Sequence, residues 1–400
     1  MEDLLTLKII QDLSLSAENY KDFHQVYKLL FVAKNFPSLS RNCLSLALEC
    51  VKRQTLEPLP IDTRWVTNTE SYVNSELINL KNSLNLSVKH LDTVKQQELH
   101  HKLGIFYYST GEFNSAIQHF KYSQKYTLSL EKKIDLDINI LNCYVAMKSY
   151  KSAAMLCKKV KSKNSKTLFQ AHFFEAVEGL AALTMGNFLH AVICFKNCCF
   201  ESLQEHPLPM LSSCDIGLYL GLCALASYNR EDLFKLFNDP NCREFIELVS
   251  PVKALLNNFY RAFYSSCVVV LRELQIELSA NIYIAEVAPE LLLRIEEKLL
   301  IQYIAPFSSL NIHNMATVFQ LSYKELISKL ESLILSEKVV AVIESSDSTL
   351  IRSSLSISDK LLTKTLNLSE KFIQEAHQIL LKMAILRENL KDDTAKKRKL

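Results

Sequence analysis

Two segments of this chain repeat the same glycines, phenylalanines and alanine, and this repeat constrains the fold more than any other feature. The first segment contains Gly104, Gly111, Phe113, Ala116 and Phe120, and the second contains Gly179, Gly186, Phe188, Ala191 and Phe195. Halfway between them, the same spacing recurs more loosely in Leu141, Tyr144, Tyr150, Ala153 and Cys157. A repeat of about 37–38 residues is typical of helix–turn–helix units of tetratricopeptide type.

The small residues explain how such units would stack. A small residue in the first helix and an alanine in the second allow two helices to cross closely, and the phenylalanines fill the space between neighbouring hairpins. We therefore predict a mainly α fold. An N-terminal helical region (1–95) precedes a right-handed helical-repeat array, or solenoid, over residues 96–285.

Composition agrees with long helices. The 400 residues include only 6 glycines and 9 prolines, and no glycine follows Gly221. That scarcity disfavours β-barrels and phosphate-cradling loops. The formal net charge of +3 is too small to indicate attraction to nucleic acid or to a membrane surface. We expect neither a signal peptide nor a membrane span, because no long uninterrupted apolar run occurs.

Over residues 289–352 the spacing of apolar residues changes from helical to strand-like, in the sequence of elements typical of a small winged-helix module. Apolar residues at helical spacing predict helices over 290–304, 311–319 and 323–337. Two β-branched runs, 339–343 and 349–352, then predict a hairpin across a polar turn. We expect a winged-helix part over 286–354. A lone two-stranded hairpin is marginal in water and leaves an unpaired edge, so this module is expected to dock to other proteins.

A long C-terminal helix is predicted over residues 358–390, within a C-terminal region of 355–400. Apolar residues alternate there by four and three positions, which gives a heptad-like stripe that another surface must cover. The hairpin and this stripe together supply the predicted partner interface: Val339, Val340, Val342, Ile343, Leu350, Leu366, Ile373, Leu380, Met383 and Leu390.

No motif for catalysis, metal binding or cofactor binding occurs in the sequence. A zinc peptidase site requires closely spaced histidines with a carboxylate, whereas His100 and His101 are adjacent and diverge on a helix. His90, His119, His172, His190 and His206 are isolated, and the cysteines, including Cys194, Cys198 and Cys199, are interpreted as reduced, buried thiols. We expect no catalytic, cofactor or metal residues, and no enzyme.

Direct nucleic-acid binding is also disfavoured. To bind nucleic acid, the third helix of the winged-helix module would have to bring positive charge to the phosphates. Its lysines, Lys324, Lys329 and Lys338, are balanced by the glutamates Glu325, Glu331 and Glu337.

Several segments resemble the PCI-domain family. They are TRWV (63–66), LGIFYYSTGEFNSAIQHF (103–120), IGLYLGLCALASYNREDL (216–233), LLIQYIAPFSSLNIHNMATVF (299–319) and FIQEAHQILLKMAILRENL (372–390). Three of them, 216–233, 299–319 and 372–390, are most similar to PCI subunits of the COP9 signalosome. One departure is that the glycine usual in the last winged-helix turn is absent at residues 337–339.

The resemblance implies a non-catalytic scaffold subunit of the signalosome, which supports removal of a ubiquitin-like modifier from cullins by a protease in another subunit. Its implied partners are other PCI subunits, contacted through winged-helix edges and a C-terminal helical bundle, and indirectly cullin-based ubiquitin ligases. One alternative is the paralogous PCI subunit of the proteasome regulatory lid. Another, of a different class, is an RNA- or translation-initiation-associated PCI protein. Localisation is expected in cytoplasm and nucleus, and the basic run at 396–399 is a candidate import signal.

Overall fold

The computed structural model describes residues 23–35, 43, 46–47, 63–161, 168–344, 348–352 and 357–397. The chain divides into two compact units between Tyr303 and Ile304. The expected boundaries at 95, 285 and 354 stay predictions. The mainly α architecture, with a helical repeat and a winged-helix module, is confirmed.

The first unit consists of helices in antiparallel succession. They are α1 (Phe23–Asn35), α2 (Thr63–Lys89), α3 (Thr93–Ser109), α4 (Phe113–Tyr126), α5 (Leu130–Ala146), α6 (Tyr150–Lys161), α7 (Leu168–Thr184), α8 (Phe188–Lys196), α9 (Phe200–Glu205), α10 (Ser213–Ser227), α11 (Arg230–Asn238), α12 (Pro240–Glu247), α13 (Ser250–Tyr260), α14 (Tyr264–Ser279) and α15 (Ala288–Ile304). Consecutive helices from α2 to α8 pack on one another, which is the arrangement of a repeat array.

The repeated glycines lie directly against the repeated phenylalanines. A Cβ atom added to Gly104 in α3 would lie 2.5 Å from Cε1 of Phe120 in α4. One added to Gly179 in α7 would lie 2.8 Å from Cε1 of Phe195 in α8. Both phenylalanines are almost fully buried. Each glycine therefore leaves room for the aromatic ring of the following helix, which fixes how closely the two helices of a hairpin approach.

The turns within the hairpins share one backbone geometry. Gly111, Lys148, Gly186 and Ala262 all have positive φ, between 57° and 82°, and each lies two residues before the next helix begins. At each turn the following N–H donates to a carbonyl five residues earlier, as from Ser149 to Tyr144 at 2.8 Å. Lysine and alanine at this position explain why only alternate units are visible as glycine repeats in the sequence.

Helix α10 is the centre of the first unit's core. Every residue from Asp215 to Leu225 is buried except Leu218, so this helix is apolar on nearly all sides. Gly217 lies against backbone, since an added Cβ would lie about 2.1 Å from the carbonyl oxygen of Phe245 in α12. Gly221 in the same way admits Val252 of α13. Both glycines lie within the segment 216–233 that resembles the PCI family.

The second unit contains β1 (Ser309–Asn311), α16 (Ile312–Phe319), α17 (Tyr323–Leu335), β2 (Ala341–Glu344), β3 (Thr349–Arg352) and α18 (Ile357–Lys397). The strands form an antiparallel sheet in the order β1-β3-β2. Six apolar side chains of α16 and α17 are buried in this unit: Ile312, Met315, Phe319, Leu326, Leu330 and Leu333.

Two expectations about the hairpin were wrong. The hairpin is not alone, because β1 pairs with β3 in the register Ser309↔Ile351, Leu310↔Leu350 and Asn311↔Thr349. A three-residue strand with one apolar side chain gives no period-2 pattern in the sequence, which is why it was not predicted. Strand β2 also begins two residues later than expected, at Ala341, because Glu337 to Val340 are needed to leave α17.

The way the chain leaves α17 accounts for the absence of the glycine that is usual in the last winged-helix turn. Glu337 has φ of 56°, so a non-glycine residue adopts the left-handed conformation there. The N–H of Lys338 then donates to the carbonyl of Leu333 at 3.1 Å, which closes the helix end. The backbone geometry of the turn is retained although its usual residue is not.

We expect Gly104→Ala to lower the free energy of unfolding by about 1–3 kcal/mol, because a methyl group would overlap the buried Phe120 ring. Phe120→Leu alone should also destabilise the chain, but the double variant should lose less than the sum of the single losses. Urea unfolding of the native chain and the three variants measures this coupling. Strictly additive losses would show that the two side chains do not limit the helix approach.

Candidate functional site

The exposed edge of the sheet belongs to β2. The N–H of Ile312 donates to the carbonyl of Ser348 at 2.9 Å, and that of Arg352 donates to Ser308 at 2.8 Å. Residues 348, 350 and 352 therefore face β1. Because hydrogen bonds alternate sides along a central antiparallel strand, Thr349 and Ile351 face β2.

The register then fixes which groups β2 presents outward. Val342 and Glu344 are the partners of Ile351 and Thr349, so their backbone groups bond within the sheet. Ala341 and Ile343 consequently direct their N–H and C=O groups away from β3. Among the described strands none lies on that side of β2. This is an edge to which a strand from another protein could be added.

The predicted hairpin residues occupy three different environments. Val340 and Val342 are exposed, and Val342 is opposite the exposed Ile351 across the sheet. Ile343 is half-buried on the inner face. Val339 and Leu350 are 8% and 2% exposed, so they belong to the unit's own core and lie beneath the surface rather than on it. The sequence pattern missed Ile351, whose position opposite Val342 is visible only in the register.

The predicted stripe on α18 lies on an exposed helix surface. Leu366, Ile373, Leu380 and Met383 are 52–63% exposed. Leu390 lies outside the residues whose side chains are described. Neighbouring apolar residues widen the stripe: Leu361, Leu362, Leu368, Phe372, Ile379 and Leu386. Covering half a dozen such side chains would contribute on the order of 10 kcal/mol as an upper bound.

One group of metal-ligating side chains occurs among the described residues. Glu178 of α7 and His190 and Cys194 of α8 place their ligand atoms within 4.8 Å of one another. The Nε2 of His190 is 3.0 Å from Oε1 of Glu178. The sequence reading of His190 as isolated missed this contact. A signal was available, because Glu178 occupies the repeat position of the buried Leu103.

A lysine supplies the positive charge in this cluster. The ammonium of Lys161 lies 2.5 Å from Oε2 of Glu178 and 2.8 Å from Oε1 of Glu175. Burial opposes ionisation of Glu178, but hydrogen bonds from Lys161 and His190 outweigh it and lower the pKa of that carboxyl. Burial raises the pKa of the Cys194 thiol to about 12, so the thiol stays protonated and is a poor ligand. The donor set fits a charge network that ties α6, α7 and α8 together better than a metal centre.

No helix among the described residues is both long enough and apolar enough to cross a membrane.

Comparison with known proteins agrees with these features. A family model described as 26S proteasome subunit RPN7 matches residues 62–236, and the PCI domain model matches residues 271–354. COP9 signalosome complex subunit 1 of Arabidopsis thaliana is 25% identical over 408 aligned residues, which cover 96% of this chain and 92% of the relative.

Other relatives carry similar names. COP9 signalosome complex subunit 1b of Drosophila melanogaster is 25% identical, with 73% of this chain and 57% of the relative covered. Subunit 1 of Emericella nidulans is 24% identical, with 82% and 69% covered. The likeness to signalosome subunit 1 that the quoted segments indicate is therefore confirmed across the greater part of the chain.

We expect Glu178→Gln to lower the free energy of unfolding by roughly 1–3 kcal/mol at neutral pH, since it leaves Lys161 with one carboxylate. The carboxyl binds its proton more weakly in the folded chain than in the unfolded chain. This contribution is therefore complete above the unfolded-state pKa and disappears as the pH falls through the lower, folded-state pKa.

The measurement compares unfolding of the native chain and Glu178→Gln between pH 7 and pH 3, with the exposed Glu201→Gln as control. The stability difference for Glu178→Gln should shrink at the acidic end. A difference that stays constant over this range would contradict an ionised Glu178.

Proposed function

Because the PCI domain model matches residues 271–354 and the chain is similar to COP9 signalosome complex subunit 1 of Arabidopsis thaliana over 96% of its length, we propose that it is a non-catalytic scaffold subunit of that assembly. In this role it supports removal of the ubiquitin-like modifier from cullins without contributing catalytic residues. The observation that carries the proposal is the exposed apolar stripe of α18, whose heptad-like spacing suits packing against other helices.

Two surfaces of the second unit have the chemistry that assembly requires. The β2 edge offers backbone groups of Ala341 and Ile343 to a neighbouring strand. The stripe of α18 offers apolar side chains at heptad-like spacing to a helical bundle. Other PCI subunits are the proposed partners at both surfaces, and cullin-based ubiquitin ligases are indirect partners. Both cytoplasm and nucleus are the proposed locations; the basic run at 396–399 lies outside the described side chains.

The proteasome lid is the second candidate, because the model named for proteasome subunit RPN7 matches residues 62–236. The names of the long relatives favour the signalosome. Affinity purification of the tagged chain from its own cells, followed by mass spectrometry, distinguishes the two. Recovery of cullins and signalosome subunits supports the proposal, whereas recovery of proteasome ATPases without cullins would overturn it.

The α18 stripe is tested by introducing charge on it. We expect the double variant Ile373→Asp/Leu380→Asp to abolish incorporation into the co-expressed complex, because burying two carboxylates in an apolar bundle is strongly unfavourable. The matched control, Gln374→Asp/Gln378→Asp, adds the same charge to the polar face of the same helix and should assemble normally.

Size-exclusion chromatography and native mass spectrometry of the co-expressed subunits report incorporation, and circular dichroism verifies that the first unit remains folded. Equal assembly of the stripe variant and its control would exclude the stripe as a partner surface.

The β2 edge is tested with proline. Ala341→Pro removes one outward N–H at the first residue of the strand and leaves the hydrogen bonds to β3 in place, so we expect weaker binding of neighbouring subunits and a smaller loss of stability than at Val342. Val342→Pro instead removes a donor that faces β3 and should destabilise the second unit. If Ala341→Pro binds its neighbours as tightly as the native chain, the edge is not used in docking.

A further inference from the structure

A groove in the first unit lies far along the chain from the proposed assembly surfaces. It has a volume of about 700 Å³ and lies between α4 and α6, with α5 at its base. Its floor is apolar and contains Ile140, Tyr144 and Leu156, and the exposed Met155 lies at its margin. We call this feature the lysine-rimmed groove. Its volume is that of a site for several side chains of a bound partner.

Four lysines surround this floor. Lys121 and Lys125 come from α4, Lys133 from α5 and Lys159 from α6. Among the described residues, no carboxylate lies within ion-pair distance of Lys121, Lys125 or Lys133, in contrast to Lys161 nearby, which has two such partners. Helices α4 and α5 thus bring three lysines that lack an ion-pair carboxylate in the described part of the chain to one apolar surface.

One acidic side chain, Asp137, also lines the groove, against four lysines. Asp137 is 3% exposed, and its Oδ1 accepts a hydrogen bond from Nε2 of Gln124 at 2.9 Å. Its carboxylate is therefore held below the surface, where it contacts the protein rather than a partner. The accessible part of the groove combines an apolar centre with a cationic rim.

We propose that the lysine-rimmed groove binds an acidic peptide segment of a partner protein, with at least one large apolar side chain seated on the floor and carboxylates paired with the rim lysines. Charge complementarity selects the acidic residues, and the apolar floor selects the anchor between them. This binding activity is separate from the proposed assembly through the second unit and does not depend on it.

A peptide fits this surface better than a nucleic acid. Single-stranded nucleic acid is bound by stacking bases on aromatic rings and by arginine, whereas the lining contains lysines and one half-buried tyrosine. The apolar floor gives a phosphate backbone nothing to contact, but it provides burial for leucine or phenylalanine.

The experiment measures fluorescence anisotropy of labelled probes with the full purified chain. The first probe is a twelve-residue peptide in which Asp and Glu alternate with Leu, and the second replaces every Leu with Ser. The third is a single-stranded oligothymidylate of the same length. We expect saturable binding of the first probe, roughly tenfold weaker binding of the second, and a fall in affinity as salt rises above 0.1 M.

Matched double variants locate the binding surface. Lys125→Glu/Lys133→Glu should weaken binding of the Leu-containing probe by about tenfold or more. Lys132→Glu/Lys158→Glu changes the net charge by the same amount at exposed positions outside the groove and should leave the affinity within about twofold of the native value.

Three results would overturn the proposal. They are equal losses in the two double variants, tighter binding of the oligothymidylate than of the peptide, and no saturable peptide binding by the native chain. Circular dichroism of both variants distinguishes loss of binding from loss of fold. The second unit's assembly is unaffected by any of these results, so failure here is distinct from failure of the proposed scaffold function.

Discussion

The repeat array depends on the contact between a glycine in one helix and a phenylalanine ring in the next helix. Gly104 against Phe120, and Gly179 against Phe195, bring paired helices to the short distance at which the buried ring fills the space left by the missing side chain. With the distance between paired helices fixed, apolar side chains can surround α10. The same stacking lets the charge network of Lys161 and Glu178 connect three helices. The lysine-rimmed groove is likewise defined by how α4, α5 and α6 stack.

Much of this architecture follows from the sequence because the responsible residues repeat. The spacing of Gly111 and Gly186 predicts the turns, and apolar residues at helical spacing predict α15, α16 and α17 within two residues of their observed ends. The stripe of α18 can be predicted from the sequence for the same reason, because the spacing of its apolar residues is maintained over many helical turns. The similarity of the quoted segments to PCI-domain proteins can also be recognised from the sequence.

Other features depend on contacts that a single sequence does not display. β1 is too short to carry a period, so the hairpin was expected to be alone. Lys148 and Glu337 adopt positive φ because the surrounding helices require it, although neither residue favours that conformation. The lysines of the groove are spread over 39 residues of sequence, from Lys121 to Lys159, and only helix stacking brings them together.

The position of α18 along the chain has a consequence for synthesis. The repeat array precedes it and consists of contacts between consecutive helices, so hairpins can form one after another as they leave the ribosome. Helix α18 is synthesised later, and under the proposed function its apolar face contacts water until a partner subunit covers it. Maturation would thus have a late step whose speed depends on companion concentration, while the earlier steps depend on this polypeptide alone.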